Sequence, residues 1–451
     1  MIECFWEIGV EIMNINDHFV DEILKNKIIE DRRMFHRYPE LGWMEYWTSW
    51  VIAERLNTLG FDVFLGKEIC DASSRMGLPD DEILKKSEES ALKKGVPESV
   101  IENMRGGCTG VIGVLRGKQS GNKIALRFDM DALAINEVIT EKNHSYRSEY
   151  KNVMHACGHD GHIAVGLGVA SLLSHYQEQL ENDVYLIFQP AEEGCRGANA
   201  IVSKGWIDEI DTFYSGHIGI GCRELGQIGA CTQGFMASTK LDILFHGVAA
   251  HAANAPEEGR NALLAAAEFT VKAYDFYKSY SKDVRMNVGR MKAGSGRNII
   301  ADEAVLEVET RGKDTASNQL LKEELCRLAE MTSKKHDVTC EIRIVGDVGT
   351  GKSDDELVNC GYEVAKSMGI GDMYDVDAAF TASEDVVTMM NHVQKHGGRA
   401  AYFMFGTKLL AEHHHPAFDF DEDVLPLIVE FYVKLLLKNT KDHTISEKND
   451  V

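Results

Sequence analysis

Apolar and β-branched runs alternate with helical stretches through the first half of the chain. Residues 123–128 and 183–188 carry strand-like runs, and residues 163–173 between them an apolar helical one. That alternation predicts an α/β sheet domain. Residues 76–107 interrupt it with two short helical signals. Pro79 opens 80–94 before Gly95, and Pro97 opens 98–105 before Gly106, so a helical excursion is expected on the sheet domain.

The pattern changes near Gly234. Residues 240–245 and 305–310 read as strands enclosing a helix at 261–280, and a second helix at 316–335 is followed by a strand at 339–345. This predicts an inserted α+β domain of ferredoxin-like β-α-β-β-α-β order. A helix at 354–368 and a strand at 400–405 then return to the first sheet. The expected division is a sheet domain of residues 1–233 and 346–451, carrying the excursion at 76–107, and an inserted domain of residues 234–345.

A length of 451 residues suits two such units, and 44% hydrophobic with 26% charged residues fits a globular chain. The formal net charge of -23, with no basic run to offset it, argues against a nucleic-acid partner. No apolar stretch approaches the roughly 18 to 20 residues of a membrane span. With Glu3, Glu7, Glu11 and Asp17 among the first residues, no signal peptide or membrane anchor is expected. Ten cysteines scattered from Cys4 to Cys360 have no framework spacing, so reduced thiols and a cytoplasmic location are expected.

Four clusters carry candidate chemistry. The run from His155 to His162 sets Cys157 and His159 two apart among small residues, where both can reach one ion; helix capping is the plain alternative. The strand at 183–189 turns through Pro190 and Ala191 into Glu192 and Glu193, and adjacent carboxylates repel unless a cation or a proton separates their roles. His217 ends a short apolar strand, a position more often filled by a hydrogen-bonded histidine. His413, His414 and His415 precede Pro416, and packing alone would leave several of their ring nitrogens needing partners. Together the clusters offer more donors than one tetrahedral ion with an open position needs, whereas two ions sharing a donor would use them and leave room for water.

These residues in this order resemble the M20 metallopeptidase family, in particular its amidohydrolase branch of N-acyl-amino-acid and hippurate hydrolases. The matching stretches are RFDMDALAIN at 127–136, the run at 155–162, FQPAEEG at 188–194, His251-Ala252-Ala253, RNIIADEA at 297–304, Ser383-Glu384-Asp385 and His414-His415-Pro416. The resemblance implies a zinc-exopeptidase-like catalytic domain with the inserted domain as lid and dimerisation unit. It implies that Cys157, His159, Glu193, His217 and His414 hold two divalent ions, with Glu192 as general base. His415 stands where the family usually has Asn or Ser. Manganese is the metal the resemblance favours, while a mixed N, O and S donor set would also take zinc or cobalt.

The resemblance further implies pairing through the small domain, as a homodimer or with a related second chain, so that His251 reaches over the partner's site to stabilise an oxyanion. Asn298 and Arg311 match positions that face the substrate; a turn residue and a surface ion pair are their plain alternatives. Asp160, beside His159, is a candidate to orient an imidazole. Arg297, Arg311 and Lys408 are candidates to meet a substrate carboxylate. The expected activity is hydrolysis of the amide bond of an N-acyl or N-aroyl amino acid, within the p-aminobenzoyl-glutamate branch. The alternatives are a general aminoacylase, hippurate hydrolase or dipeptidase and, in another class, a non-catalytic subunit of a heteromeric hydrolase.

Overall fold

The computed structural model describes residues 18–118, 121–230, 235–280, 282–369, 373–375 and 383–439; Glu3, Glu7, Glu11, Asp17 and the expected boundary at Gly234 lie outside these residues. The strands, in chain order, are β1 (Asp62–Leu65), β2 (Val111–Leu115), β3 (Lys123–Asp129), β4 (Asp183–Gln189), β5 (Thr212–Ile218) and β6 (Ile228–Ala230). After them come β7 (Ala237–His246), β8 (Val284–Ala293), β9 (Glu303–Gly312), β10 (Thr339–Val348), β11 (Met373–Asp375) and β12 (Arg399–Phe405). The large sheet runs β1-β2-β4-β3-β5-β12-β6-β11 and the small one β10-β7-β9-β8.

The centre of the large sheet, β4-β3-β5-β12, is parallel, while β1, β2 and β6 join it antiparallel. Parallel central strands need crossovers and are buried on both faces, which is why β3, β4 and β12 read as unbroken apolar runs. The helices that cover them, with the excursion, are α1 (Glu22–Arg37), α2 (Tyr46–Thr58), α3 (Asp81–Lys93), α4 (Glu98–Met104), α5 (His159–His175) and α6 (Ala198–Val202). Further along come α7 (Ala262–Tyr280), α8 (Thr315–Lys335), α9 (Asp355–Ser367), α10 (Val386–Lys395) and α11 (Val424–Asn439).

One core joins α1, α2, α5, α9 and α11 to one face of the large sheet, and a second joins α6 and α10 to the other. Helix α5 is apolar nearly all round, as a helix enclosed between the sheet and two other helices must be. The excursion forms α3 and α4 close to the expected bounds.

The small sheet has its own core of Leu241, Ile243, Phe245, Phe269, Leu306 and Leu325, with α7 and α8 packed on it. Its order β7-α7-β8-β9-α8-β10 is the ferredoxin-like insert, and it contains a strand, β8, that the apolar pattern did not single out. Strand β10 continues past residue 345 to pair Val348 with Ser238, so the two chain connections of the insert lie side by side.

Candidate active site

The parallel strands end along one edge of the large sheet, so the loops that follow β3, β4, β5 and β12 converge there, where open α/β sheets place their ligands. Those loops and the end of β5 bring Asp131, Glu192, Glu193, His217 and His414 to the N-terminus of α5, which begins at His159 just after Cys157. Gly158 between these two takes φ 92°, a left-handed turn that glycine adopts without strain and that aims the Cys and His side chains into one space. His414 takes φ 63°, and its backbone N–H donates to Ala156 O at 2.7 Å, tying the late loop to the Cys157 loop.

Among the described residues four triads of potential ligand atoms result, one of them His159, Glu192 and Glu193, and two of the four contain a thiol. Cys157, His159 and His217 form one, Cys157, Glu193 and His414 the other, each with donor atoms within 4.8 Å of one another. Cys157 belongs to both. His159 Nδ1 donates to Asp131 O at 2.9 Å and His217 Nδ1 to Ile218 O at 2.9 Å, leaving each Nε2 with its lone pair toward the centre. The Cys157 thiol lies 3.4 Å from His217 Nε2.

His159 Nε2 and Glu193 Oε1 are buried with no hydrogen-bond partner, although Glu193 Oε1 lies 3.3 Å from His414 Nε2, at ion-pair distance but out of alignment. Orphaned buried acceptors of this kind, grouped with a thiol, fit divalent cations. In a third grouping, Asp129, His159 and His162, the Asp129 and His162 members are already paired with each other. His162 Nδ1 donates to Asp129 at 2.5 Å and its Nε2 accepts from Ile218 N at 3.1 Å. Of the late histidines, His413 Nε2 is engaged with Ile218 O at 3.0 Å and His415 Nδ1 with Ala417 N at 3.0 Å.

Burial, then Glu193, pushes the Cys157 thiol well above its ordinary value, so a thiolate here requires a cation. Burial, then His162, holds His217 well below its ordinary value, in the neutral form a ligand needs. Burial, followed by Glu384 and Asp385, raises the Glu192 carboxyl well above the carboxylate range. Glu384 is itself raised to about 8 by burial and then Asp129. Both carboxyls thus hold a proton more readily than a free carboxylate does, as a group that takes up and returns one must.

The cavity over these residues holds about 390 Å³ and is lined by Cys157, Glu192, Glu193, Glu384, Lys240 and Arg311 among others. Lys240 faces Glu309 across the β7–β9 pair and Arg311 faces Ser238, so the two cations are diagonal neighbours on one face of the small sheet. Arg311 also donates to Glu309 at 3.0 Å. His251 and Asn298 lie elsewhere. Both are exposed on neighbouring turns of the insert, where Ala252 N donates to Asn298 O at 3.1 Å, and neither lines the cavity of its own chain. Arg297 is exposed, and Lys408 stands 4.0 Å from Glu224 at the surface, so neither meets the cavity.

Asp160 does not orient a ligand. Adjacent helical residues point about 100° apart, and Asp160 turns to α1, where it accepts from Arg32 Nε and His36 Nδ1, both at 2.8 Å. The orienting group is Asp131. Its carbonyl holds His159, while its carboxylate accepts Glu192 N on one oxygen and Glu193 N on the other, each at 3.0 Å. Behind it Arg127 bridges Asp129 at 2.6 Å and Asp385 at 3.0 Å. Asp385 in turn caps Gly197 and Ala198. The stretches at 127–136 and 383–385 pointed to these residues as matches without giving them tasks; Lys240 had no sequence signal beyond opening a strand.

A converging edge of an α/β sheet, two donor triads sharing a thiol and a carboxyl poised beside them define a hydrolase built around cations. The sequence model of peptidase family M20/M25/M40 matches residues 125–438, and the chain belongs to that family, as an enzyme of its amidohydrolase kind. It is 40% identical over 423 residues to indole-3-acetyl-aspartic acid hydrolase of Enterobacter agglomerans, covering 93% of this chain and 97% of that one. It is also 40% identical over 419 residues to a p-aminobenzoyl-glutamate hydrolase subunit of Escherichia coli, covering 92% and 96%. The crystal structure of the aminobenzoyl-glutamate utilization protein from Klebsiella pneumoniae superposes with a TM-score of 0.80 at 36% identity, covering 92% of this chain and 96% of that one.

Proposed function

We propose that this chain hydrolyses the amide bond of an N-aroyl or N-acyl amino acid whose amine half is acidic, with p-aminobenzoyl-glutamate as the leading substrate. The observation that carries this reading is the sharing of Cys157 between two donor triads directly beside Glu192. His159 and His217 would hold one divalent cation, Glu193 and His414 a second, with the Cys157 thiolate between them. Bound there, the cations polarise the amide carbonyl and make water more acidic. Manganese remains the favoured metal, with zinc and cobalt compatible with the donors.

Glu192 takes the proton of the attacking water and returns it to the leaving amine, a cycle its raised affinity for a proton supports. Lys240 and Arg311 on the insert meet the carboxylates of the amine half. His251, exposed and outside its own cavity, serves as oxyanion donor in the site of a second copy or of a related chain, so that a homodimer or a heterodimer completes each site. Asn298, on the turn beside it, faces the same partner site.

No helix among the described residues is long and apolar enough to cross a membrane. The eight described cysteines are free thiols, which supports a cytoplasmic location. Turnover of a panel of p-aminobenzoyl-glutamate, hippurate, acetyl-methionine and a dipeptide by the purified chain, sized in the same experiment, tests the reading. Preference for p-aminobenzoyl-glutamate supports it. A preference for hippurate, acetyl-methionine or the dipeptide would make the chain a general aminoacylase or dipeptidase, and no turnover of any would make it a non-catalytic subunit.

A further inference from the structure

A second cavity, of about 380 Å³, adjoins the cavity holding Glu192 and has Glu193 and Gly194 in common with it. Leu41, Met44, Leu133 and Ala134 line it from the sheet domain, and the helical excursion contributes Pro79. The charged groups on this otherwise apolar wall are Glu193 and Arg196.

Arg196 is held in an unusual way. Its Nε donates to Glu193 O at 2.8 Å and its Nη1 to Gly77 O at 2.9 Å. Two glycines make room for it: a Cβ at Gly42 would fall 2.4 Å from Arg196 Nη2, and one at Gly77 would fall 2.6 Å from Cδ. Among the described residues no carboxylate forms an ion pair with it. A guanidinium fixed by main-chain carbonyls and lacking a counter-ion keeps its plane available, and such planes stack on the faces of electron-rich rings. Leu41, Met44 and Leu133 give the rest of the wall an apolar face, which suits a ring better than a charged group.

We propose that this second cavity seats an aromatic acyl group and that Arg196 selects for the ring; the inference rests on the reading of the chain as an amidohydrolase of N-acyl amino acids. The scissile carbonyl then sits at the Glu193–Gly194 turn, with the acyl half toward Arg196 and the amine half toward Lys240 and Arg311. The excursion thereby acquires a task, since Gly77 positions the guanidinium and Pro79 closes the cavity.

The test uses two variants, Ala134→Trp, which fills the cavity from an exposed position, and Arg196→Met. The ratio of kcat/KM for p-aminobenzoyl-glutamate over acetyl-glutamate is expected to fall about tenfold or more in the first and roughly fivefold in the second. The ratio for p-aminobenzoyl-glutamate over p-aminobenzoyl-alanine is expected to hold in both. An unchanged aromatic-to-acetyl ratio in both variants overturns the proposal. So does a collapse of the glutamate-to-alanine ratio in Arg196→Met, which would make Arg196 a carboxylate site. Calorimetric titration with p-aminobenzoate decides the matter without turnover: weaker binding to both variants supports the cavity, and equal binding to wild type and Ala134→Trp overturns it. Absence of any amide turnover by the wild type would instead refute the functional reading alone.

Discussion

Asp131 holds the backbone amide of Glu192 at 3.0 Å, and the same carboxylate holds the next amide, so the paired glutamates are hung from one side chain. Its carbonyl fixes the tautomer of His159 as well. Asp131→Ala keeps that carbonyl but releases both amides, and is expected to weaken metal retention roughly 10- to 100-fold through Glu193 while also lowering kcat through Glu192. Metal content after dialysis, set beside kcat at saturating metal, separates the two effects.

The shared thiol predicts an uneven loss of metal. Elemental analysis should find about two ions per chain in the wild type, about one in His217→Ala or His414→Ala, and close to none in Cys157→Ala. His415→Ala should retain both ions. Full metal content in His414→Ala would move the ligand to a neighbouring histidine.

Glu192→Gln preserves the shape of the site and removes the proton carrier. It is expected to keep its metal and lose on the order of 10²- to 10⁴-fold in kcat. Near-normal turnover would remove Glu192 from the mechanism.

His251→Ala should lower kcat and leave metal content intact. If the site is shared between protomers, mixing His251→Ala with Glu192→Gln under conditions of protomer exchange should restore about a quarter of wild-type activity, since half the dimers are mixed and each has one complete site. Activity that stays at the sum of the two parents would place His251 outside the partner's site.

The Asp160 network carries a stability prediction. Burial opposes its charge, but Arg32 and then His36 outweigh this and hold the carboxylate well below its ordinary range. A depressed folded-state pKa contributes stability that is present above the unfolded value near 3.8 and is lost as pH falls through the folded one. Asp160→Asn, which leaves Arg32 buried with one partner fewer, should cost about 3 to 5 kcal/mol. It should also flatten the decline of Tm on acidification. Thermal melts of both proteins between neutral and strongly acid pH measure this.

Residues whose role is set locally were legible in the sequence, and those set by distant contacts were not. The helices α7 and α8 and the central strands announced themselves through apolar periodicity. Strand β8 did not, because it lies at the edge of its sheet and its inward–outward alternation is broken at the register shift between Val288 and Arg290, beyond which Arg290, Met291 and Lys292 are all exposed. Helix α1 was equally hidden, since its buried face includes Arg32 and His36, polar residues made tolerable by partners more than a hundred residues away. In the site, Cys157, His159, Glu192 and Glu193 stood out as donors on short motifs. Asp131, Glu384 and Lys240 could not, because their significance lies in which oxygen or cavity they reach across the fold. Asp160 shows the converse error: adjacency in sequence suggested a partner that the turn of a helix directs elsewhere.

The insert joins the sheet domain through two adjacent strands, and one of them rests on the loop that bears Glu193. At the register shift of β10, the Cα of Gly346 lies so close that a Cβ there would fall 2.0 Å from Gly194 O, and Asp347 N donates to Cys195 O at 3.2 Å. This makes the junction a lever as well as a tether. A rotation of the insert would therefore bear directly on the turn that carries Glu193 and that both cavities share.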